Sequence, residues 1–572
     1  MNLLRIVAIS LLAGSGSAEA SVQLNFKDFN PAGDGKTDET QALRNCFETL
    51  QKAGGGTLVI PPGDYAVAGP KSIPLCSNSH ISATGARFLL PETLGDKAMI
   101  VLFAGQDIEH FSWEGGEFVG HCFDHKRPPN TWEPNANTRM ISITTSPDGR
   151  TDDMLFRDVH SNRVAGAVIS VYGNLLKGSE KGVTRQATNV TVENCTLIDS
   201  GKFMWDYGLL WQIMIWPEDY KPEDLEMAKK YFRNDAVRTG LAMADGDTAV
   251  RFANTGSKPV KVSTTDEPAE QVCFFGDRLP RNIVKGKGYF VVESTPEFIK
   301  VSDTRGGSPV AFDGAAGPRA KLMYNMMAVY YGLFAPTGSG PGKGAFDLVG
   351  CKNVRVTGCK ISALGDTMHI QRSENIVFAS NHIIGSRMGA FFLAEYCKNS
   401  TITGNLIDGG NGSRVMSVEK SNEDVVIIGN TFRNGGRGSW INQPKNLILQ
   451  DNIFVNNTTK GEPDPWRGRR SHQTGDYLKF PELYFTQYEP DGTYGPVIIK
   501  DNTFTTGKGA SDAITFARGG FDVQVIANVF EGETNSIVVE DGVKNFHLHD
   551  NLKADPHKAK AGETSLMYHG RP

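Results

Sequence analysis

Residues 375–383, NIVFASNHI, are followed by near-copies at 399–407 (NSTITGNLI), 424–432 (DVVIIGNTF) and 446–454 (NLILQDNIF). Asn381, Asn405, Asn430 and Asn452 hold the same place in each copy and lie 24, 25 and 22 residues apart. Apolar residues alternate within each copy, the period of a strand. A unit this short cannot bury its own apolar face and must stack on its neighbours, so the period predicts an all-β solenoid, a parallel β-helix. An Asn at each coil corner tolerates a left-handed backbone and hydrogen-bonds to its stacked copies.

The same frame surrounds Cys195 (NVTVENCTL) and Cys359 (NVRVTGCKI), and returns around Asn502, Asn528 and Asn551. The repeat therefore covers most of the 572 residues. Solenoids grow in one dimension, so a single long domain with an insertion accounts for this length. Regular coils run from residue 21 to about Gly201, fail over 204–342, and resume over 343–572, with a long loop at 457–494. The stretch PEDLEMAKKYF (222–232) has helical periodicity, and the strand-rich text after it predicts a small inserted β-domain.

A net charge of −5 argues against a nucleic-acid partner, which would call for a basic face. Residues 1–20 carry a basic residue, an apolar run and a small-residue stop, the pattern of a cleaved export signal, so the mature chain is expected to begin near Ser21 and to be secreted or periplasmic. No later apolar run is long enough to span a bilayer. Eight cysteines in so long a chain do not make a disulfide framework; Cys195 and Cys359 read as small buried hydrophobes. Oligomeric state is not legible in the sequence.

Residues 26–65 (FKDFNPAGDGKTDETQALRNCFETLQKAGGGTLVIPPGDY) resemble the N-terminal signature of the pectate-lyase-like superfamily, which includes polygalacturonase-type hydrolases, polysaccharide lyases and phage tailspikes, and the resemblance implies a right-handed parallel β-helix. The segment predicts a polar turn over Asp34–Asp38. A helix follows from about Glu39 to Lys52, N-capped by Thr37 or Asp38 and stopped by Gly54–Gly56, which closes the open end of the first coil. GGEFVG (115–120) resembles a glycine turn of that superfamily, and 279–312 resembles accessory β modules of phage and carbohydrate-active β-helices. The resemblance implies a polysaccharide or oligosaccharide partner.

Aligning each coil on Cys351, Ser373, Cys397, Ser421 and Pro444 separates inward from outward residues by strand alternation. The expected outward positions are Asp347 and Val349, His369 and Gln371, Leu393 and Glu395, Ser417 and Glu419, and Trp440 and Asn442. Gln371, Glu395, Glu419 and Asn442 then form one row, with Asp347 beside His369 in the other. The strands begin at Asp366, Ala390, Arg414 and Arg437.

Paired carboxylates are what glycosidic hydrolysis needs, one protonated to release the leaving oxygen and one acting as base or nucleophile. Glu395, Glu419 and Asp366 are the candidates, with His369 and Asp347 as an acid–base pair. Asp366 lies in GDTMHI, which resembles the catalytic GDD strand of polygalacturonase-type hydrolases except that Thr367 replaces the second acid, and that family's Gly-His-Gly and Arg-Ile-Lys motifs are absent. Arg387, Arg414, Arg437 and Arg467 suit the carboxylates or sulfates of an anionic glycan, and Trp440 suits a sugar face. A glycoside hydrolase is the leading expectation, and no cofactor is expected for it. On a uronan the same patch serves a lyase, with Lys420 or His369 removing the C5 proton and Ca²⁺ on Asp347, Asp366 and Glu395. A non-catalytic, tailspike-like glycan binder is the third reading. The plain alternatives are a solvated charged face for the acids and Lys420, loop anchoring and solvation for the arginines, a hydrogen-bonded surface ladder residue for His369, and packing under the 457–494 loop for Trp440.

Overall fold

A computed structural model describes residues 22–68, 71–91, 99–121, 137–176, 182–201, 222, 237–252, 260–264, 270–276, 278–284, 287–324, 344–363, 366–386, 389–410, 414–458, 480–487 and 492–558. Three long parallel sheets run its length, of fourteen, thirteen and thirteen strands. One coil reads Met368–Gln371, Glu374–Ala379 and His382–Ser386, one strand in each sheet, and the chain then climbs to Gly389–Leu393. Valine, isoleucine and phenylalanine at alternate positions fill the interior; Phe432, Phe454, Phe504 and Phe530 stack at 5.0, 4.8 and 5.1 Å. Each such ring contributes about 1.5–3 kcal/mol by leaving water.

The asparagine column is a continuous hydrogen-bond ladder. Asn430 Oδ1 accepts the Asn405 backbone N–H at 3.0 Å and the Asn405 amide at 2.8 Å, and Asn452 Oδ1 does the same for Asn430. The left-handed residue of each corner is, however, the one before the asparagine: Ser380, Gly404, Gly429 and Asp451 have positive φ, and the asparagines do not. The glycines there meet that demand without strain, while the asparagine keeps an ordinary backbone and turns its amide along the stack. A second, exposed ladder joins Asn189, Asn353, Asn375 and Asn399, all at positive φ, each amide donating to the one before at 2.8–2.9 Å.

At the N-terminal end the helix Thr40–Lys52 buries Leu43, Cys46, Phe47 and Leu50, an i, i+3, i+4, i+7 face. Phe47 lies 5.2 Å from Phe103 and stacks on Trp113, so the helix seals the first coils. Its N-cap is Glu39, not Thr37 or Asp38; Asp38 instead accepts from Thr40 N–H at 3.0 Å, and the Glu39 carboxylate is drawn back to Ala32 N–H at 2.6 Å. Asp34–Asp38, expected as a turn, pairs as an irregular strand with Gly63–Ala66 while Asp34 caps the Lys36 and Thr37 amides.

Between Gly201 and Phe346, six antiparallel strands form a separate sheet with its own core of Val250, Phe274, Tyr289, Val291, Ile299 and Leu322. Apart from Pro222, the helical segment 222–232 lies outside the described residues, as do residues 1–20. Strands on either side of the insertion stack directly: Val190 pairs with Val354, and Ser170 with Asp347. The insertion therefore leaves the register of the coils intact. Among the described residues, no helix is long and apolar enough to cross a membrane.

Candidate active site

The third long sheet presents Ile169–Tyr172, Phe346–Val349, Met368–Gln371, Gly389–Leu393, Arg414–Val418 and Ser439–Asn442 side by side. Its register fixes one outward row as Ser170, Asp347, His369, Phe392, Ser417 and Trp440. Neighbours along it are about 4.8 Å apart.

This register corrects the expected alternation in one coil. Leu393 pairs with Ile370 and Val418 and points inward, whereas Phe392 sits between His369 and Ser417. The corner after Gly389–Leu393 holds one residue more than the corner after Met368–Gln371, because Cys397 stacks on Ser373. Counting back from Cys397 therefore slips by one, and a one-residue slip inverts every side chain. Ala394, not Glu395, shares the row with Gln371, Glu419 and Asn442. By the same shift Gly389, not Ala390, bridges Asp366 and Arg414 at the strand starts.

Glu395 accordingly lies in the corner, where its carboxylate accepts from Arg372 Nη2 at 3.2 Å and from Lys420 Nζ. Burial alone would raise its pKa, but the Lys420 and Arg372 hydrogen bonds and charges outweigh it and hold the carboxyl below its usual range. An anion clamped between two cations is a structural ion pair, so the expected Glu395/Glu419 pair of mutually repelling acids does not form. The proposed Ca²⁺ set of Asp347, Asp366 and Glu395 does not gather either, and among the described residues no three His, Cys, Asp or Glu side chains come together to hold a metal ion.

Asp366 and His369 do pair, and Glu419 feels the charge of both. His369 Nε2 is 3.2 Å from Asp366 Oδ2, with the carboxylate only 5% exposed and the imidazole 17%. The imidazole packs on Phe392 at 5.0 Å, and on its other side Asp347 occupies the paired position. Asp366 Oδ1 is buried with no hydrogen-bond partner. Burial pushes the Glu419 carboxyl up, partly offset by the charges of Arg414 and His369 and reinforced by Asp366. Thr367, at the place of a second acid in the polygalacturonase-type motif, turns inward and donates to the Ala390 carbonyl.

Tyr172 escaped the sequence reading. Its hydroxyl donates to Asp347 Oδ2 at 2.5 Å, and burial together with the Asp347 charge pushes its pKa up, so it keeps its proton. The Arg139 guanidinium lies 5.1 Å over its ring. The alternation in VISVYG would have found it, but 175 residues separate Tyr172 from Asp347 because the insertion falls between adjacent coils.

The remaining candidates divide. Arg414 lies 4.5 Å over the Trp440 ring, so that face of the indole positions a guanidinium and is not open to a sugar. Burial lowers the Arg414 pKa to about 10 against the opposing pull of Glu419 and Asp366, and it stays cationic. Trp440 Nε1 and the Asn442 amide both donate to Thr486 Oγ1 at 2.8 Å; Asn442 is buried at 2% exposure and serves the scaffold rather than a substrate. Arg437 lies 5.9 Å over Phe480. Gln371 is half-buried beyond His369, and Lys420 is engaged with Glu395. Arg387 and Arg467 lie outside the described residues.

Residues 337–462 match the family described as "Right handed beta helix region". The chain is 48% identical over 48 residues to alginate lyase 7 of Azotobacter vinelandii, 8% of this chain and 6% of that protein. It is 38% identical over 66 residues to the mannuronan C5-epimerase AlgE1 of the same organism, 11% of this chain and 5% of that one. The matched segments thus span a small fraction of those relatives' lengths. Among solved structures, the A-module of the A. vinelandii mannuronan C-5 epimerase AlgE6 aligns over 93% of this chain and all of its own, at 11% identity and a TM-score of 0.39. The molecule is a right-handed parallel β-helix protein, with a cluster of acid–base side chains on the outer face of one sheet.

Proposed function

We propose that the chain cleaves a uronate-containing polysaccharide by β-elimination. The observation that carries this reading is the two acid–base couples joined through neighbouring residues of the outward row, Asp366–His369 and Tyr172–Asp347, with Asp347 and His369 side by side. Asp366 on Nε2 fixes the imidazole tautomer and leaves Nδ1 to accept a proton. His369 takes the proton from C5, the electron pair forms the C4–C5 double bond, the bond from C4 to the leaving oxygen breaks, and Tyr172 protonates that oxygen. Arg414 offsets the negative charge that builds on the uronate carboxylate. The short matches to an alginate lyase and to a mannuronan epimerase, both named for uronan substrates, support the same chemistry. Export to the periplasm or medium is part of the proposal and rests on residues 1–20.

A second reading has its own support. Glu419, whose carboxyl burial pushes up with the Asp366 charge adding to it, is suited to the acid role of a glycoside hydrolase. Incubation with polymannuronate, polygalacturonate and a neutral glucan separates the two. A lyase releases reducing ends together with the ultraviolet absorbance of an unsaturated uronate, whereas a hydrolase releases reducing ends alone. Binding without cleavage of any of them sinks both readings and leaves a glycan-binding protein.

A further inference from the structure

Around the corner from the acid–base row lies a cavity of about 940 Å³, at the upper end of the size range of ligand sites. Arg372 and Tyr396 line it from the corners that follow the row's strands, and Lys352 and Lys398 from the first residues of the adjoining sheet. Arg150 and Arg185 close its far side. These five cations face only two lining carboxylates, Asp148 and Glu374.

Four of the cations are already shared with acids: Lys352 with Glu374 at 3.6 Å, Lys398 with Glu423 at 3.3 Å, Arg150 with Asp152 at 2.6 Å, and Arg372 with Glu395 at 3.2 Å. Arg185 differs. It is exposed, and its Nε donates only to the Pro147 carbonyl at 3.1 Å, so its charge meets no carboxylate within ion-pair distance among the described residues. Arg372 Nε is buried without a hydrogen-bond partner, although its Nη2 holds Glu395. Tyr396 is held at φ 56°, a left-handed backbone that is costly for an aromatic residue and that recurs where a side chain is being aimed.

We infer that this cavity is a second binding site for an anionic oligosaccharide, in which Arg185, Lys352 and Lys398 meet the carboxylates and Tyr396 packs against a sugar ring. Arginine forks and a half-exposed aromatic ring are the groups that recognise an acidic sugar. A chain leaving the Asp347–His369 row would cross the Arg372 corner into it. The substrate class rests on the uronan reading above; the cavity's charge does not.

The test is affinity electrophoresis through polymannuronate and through dextran, with the intact protein and with the double variant R185A/K398A. The intact protein should be retarded by polymannuronate and not by dextran, with the double variant about tenfold weaker and less sensitive to salt. R185K/K398R, which keeps both charges, should bind like the parent, and matched thermal unfolding of all three proteins shows that the fold is not what changed. Equal retardation of parent and R185A/K398A overturns the inference, and so does equal retardation by dextran. Because the readout is binding, it is independent of whether any unsaturated product forms, so failure of the second site and failure of the lyase reading are told apart.

Discussion

His369 Nε2 and Asp366 Oδ2 stand 3.2 Å apart at the start of one strand, with Phe392 against the imidazole and the other Asp366 oxygen buried without a partner. Such a pair fixes the tautomer of the base. His369→Gln should lower kcat by about 10²–10⁴-fold, and Asp366→Asn by less, with KM nearly constant in both. Initial rates of unsaturated-product formation across substrate concentrations check this; parent-like turnover in H369Q would remove His369 from the chemistry.

Tyr172→Phe deletes only the hydroxyl that donates to Asp347. The expected outcome is a fall in kcat of about tenfold to a hundredfold with the fold retained. Steady-state kinetics beside a near-ultraviolet circular dichroism spectrum measure the two effects separately.

Glu395→Gln should leave turnover in the parent range and lower stability by about 1–2 kcal/mol, because it breaks a half-buried ion pair with Lys420 and Arg372. The folded protein holds this carboxyl below its ordinary value of 4.5, so its contribution is present above that value and is lost as the pH falls through the lower folded pKa. Denaturant melts of parent and E395Q should therefore converge toward acid pH.

Glu482 is fully buried, with its carboxylate against Asn457 N–H at 3.2 Å and Thr458 Oγ1 at 3.3 Å, and burial pushes its pKa up to about 7. The folded form then binds a proton that the unfolded chain has released, so stability falls as the pH rises from about 4.5 to about 7. The shift corresponds to roughly 3 kcal/mol at most. Glu482→Gln should flatten that part of the Tm–pH curve and exceed the parent above pH 7; an unchanged slope would show that Glu482 does not titrate in this window.

Asn430→Ala removes the acceptor of the Asn405 amide groups and the donor to Ile402 O and Asn452 Oδ1. Leaving buried backbone groups unpaired should cost about 2–4 kcal/mol, read as a shift in the urea midpoint.

The sequence was most readable where repetition forces geometry. Asparagines 22 to 25 residues apart announce stacked coils, because no unit of that length has a core of its own. The exposed second ladder was equally present, since Asn189, Asn353, Asn375 and Asn399 open the quoted repeats, but an exposed asparagine carries no burial pattern to mark it. Strand alternation placed Asp347 beside His369 correctly because those two coils have corners of equal length.

The sequence by itself determined the coil period, the alternation within each strand and the capping helix, since each follows from local pattern and the need to bury apolar surface. Tertiary structure alone decided which polar residues share the site. One extra corner residue before Cys397 moved Glu395 out of the row and into an ion pair, and the insertion hid Tyr172 from the Asp347 that lies on the next coil. Alternation keeps its phase only within a strand; across a corner, the stacked backbone hydrogen bonds set it.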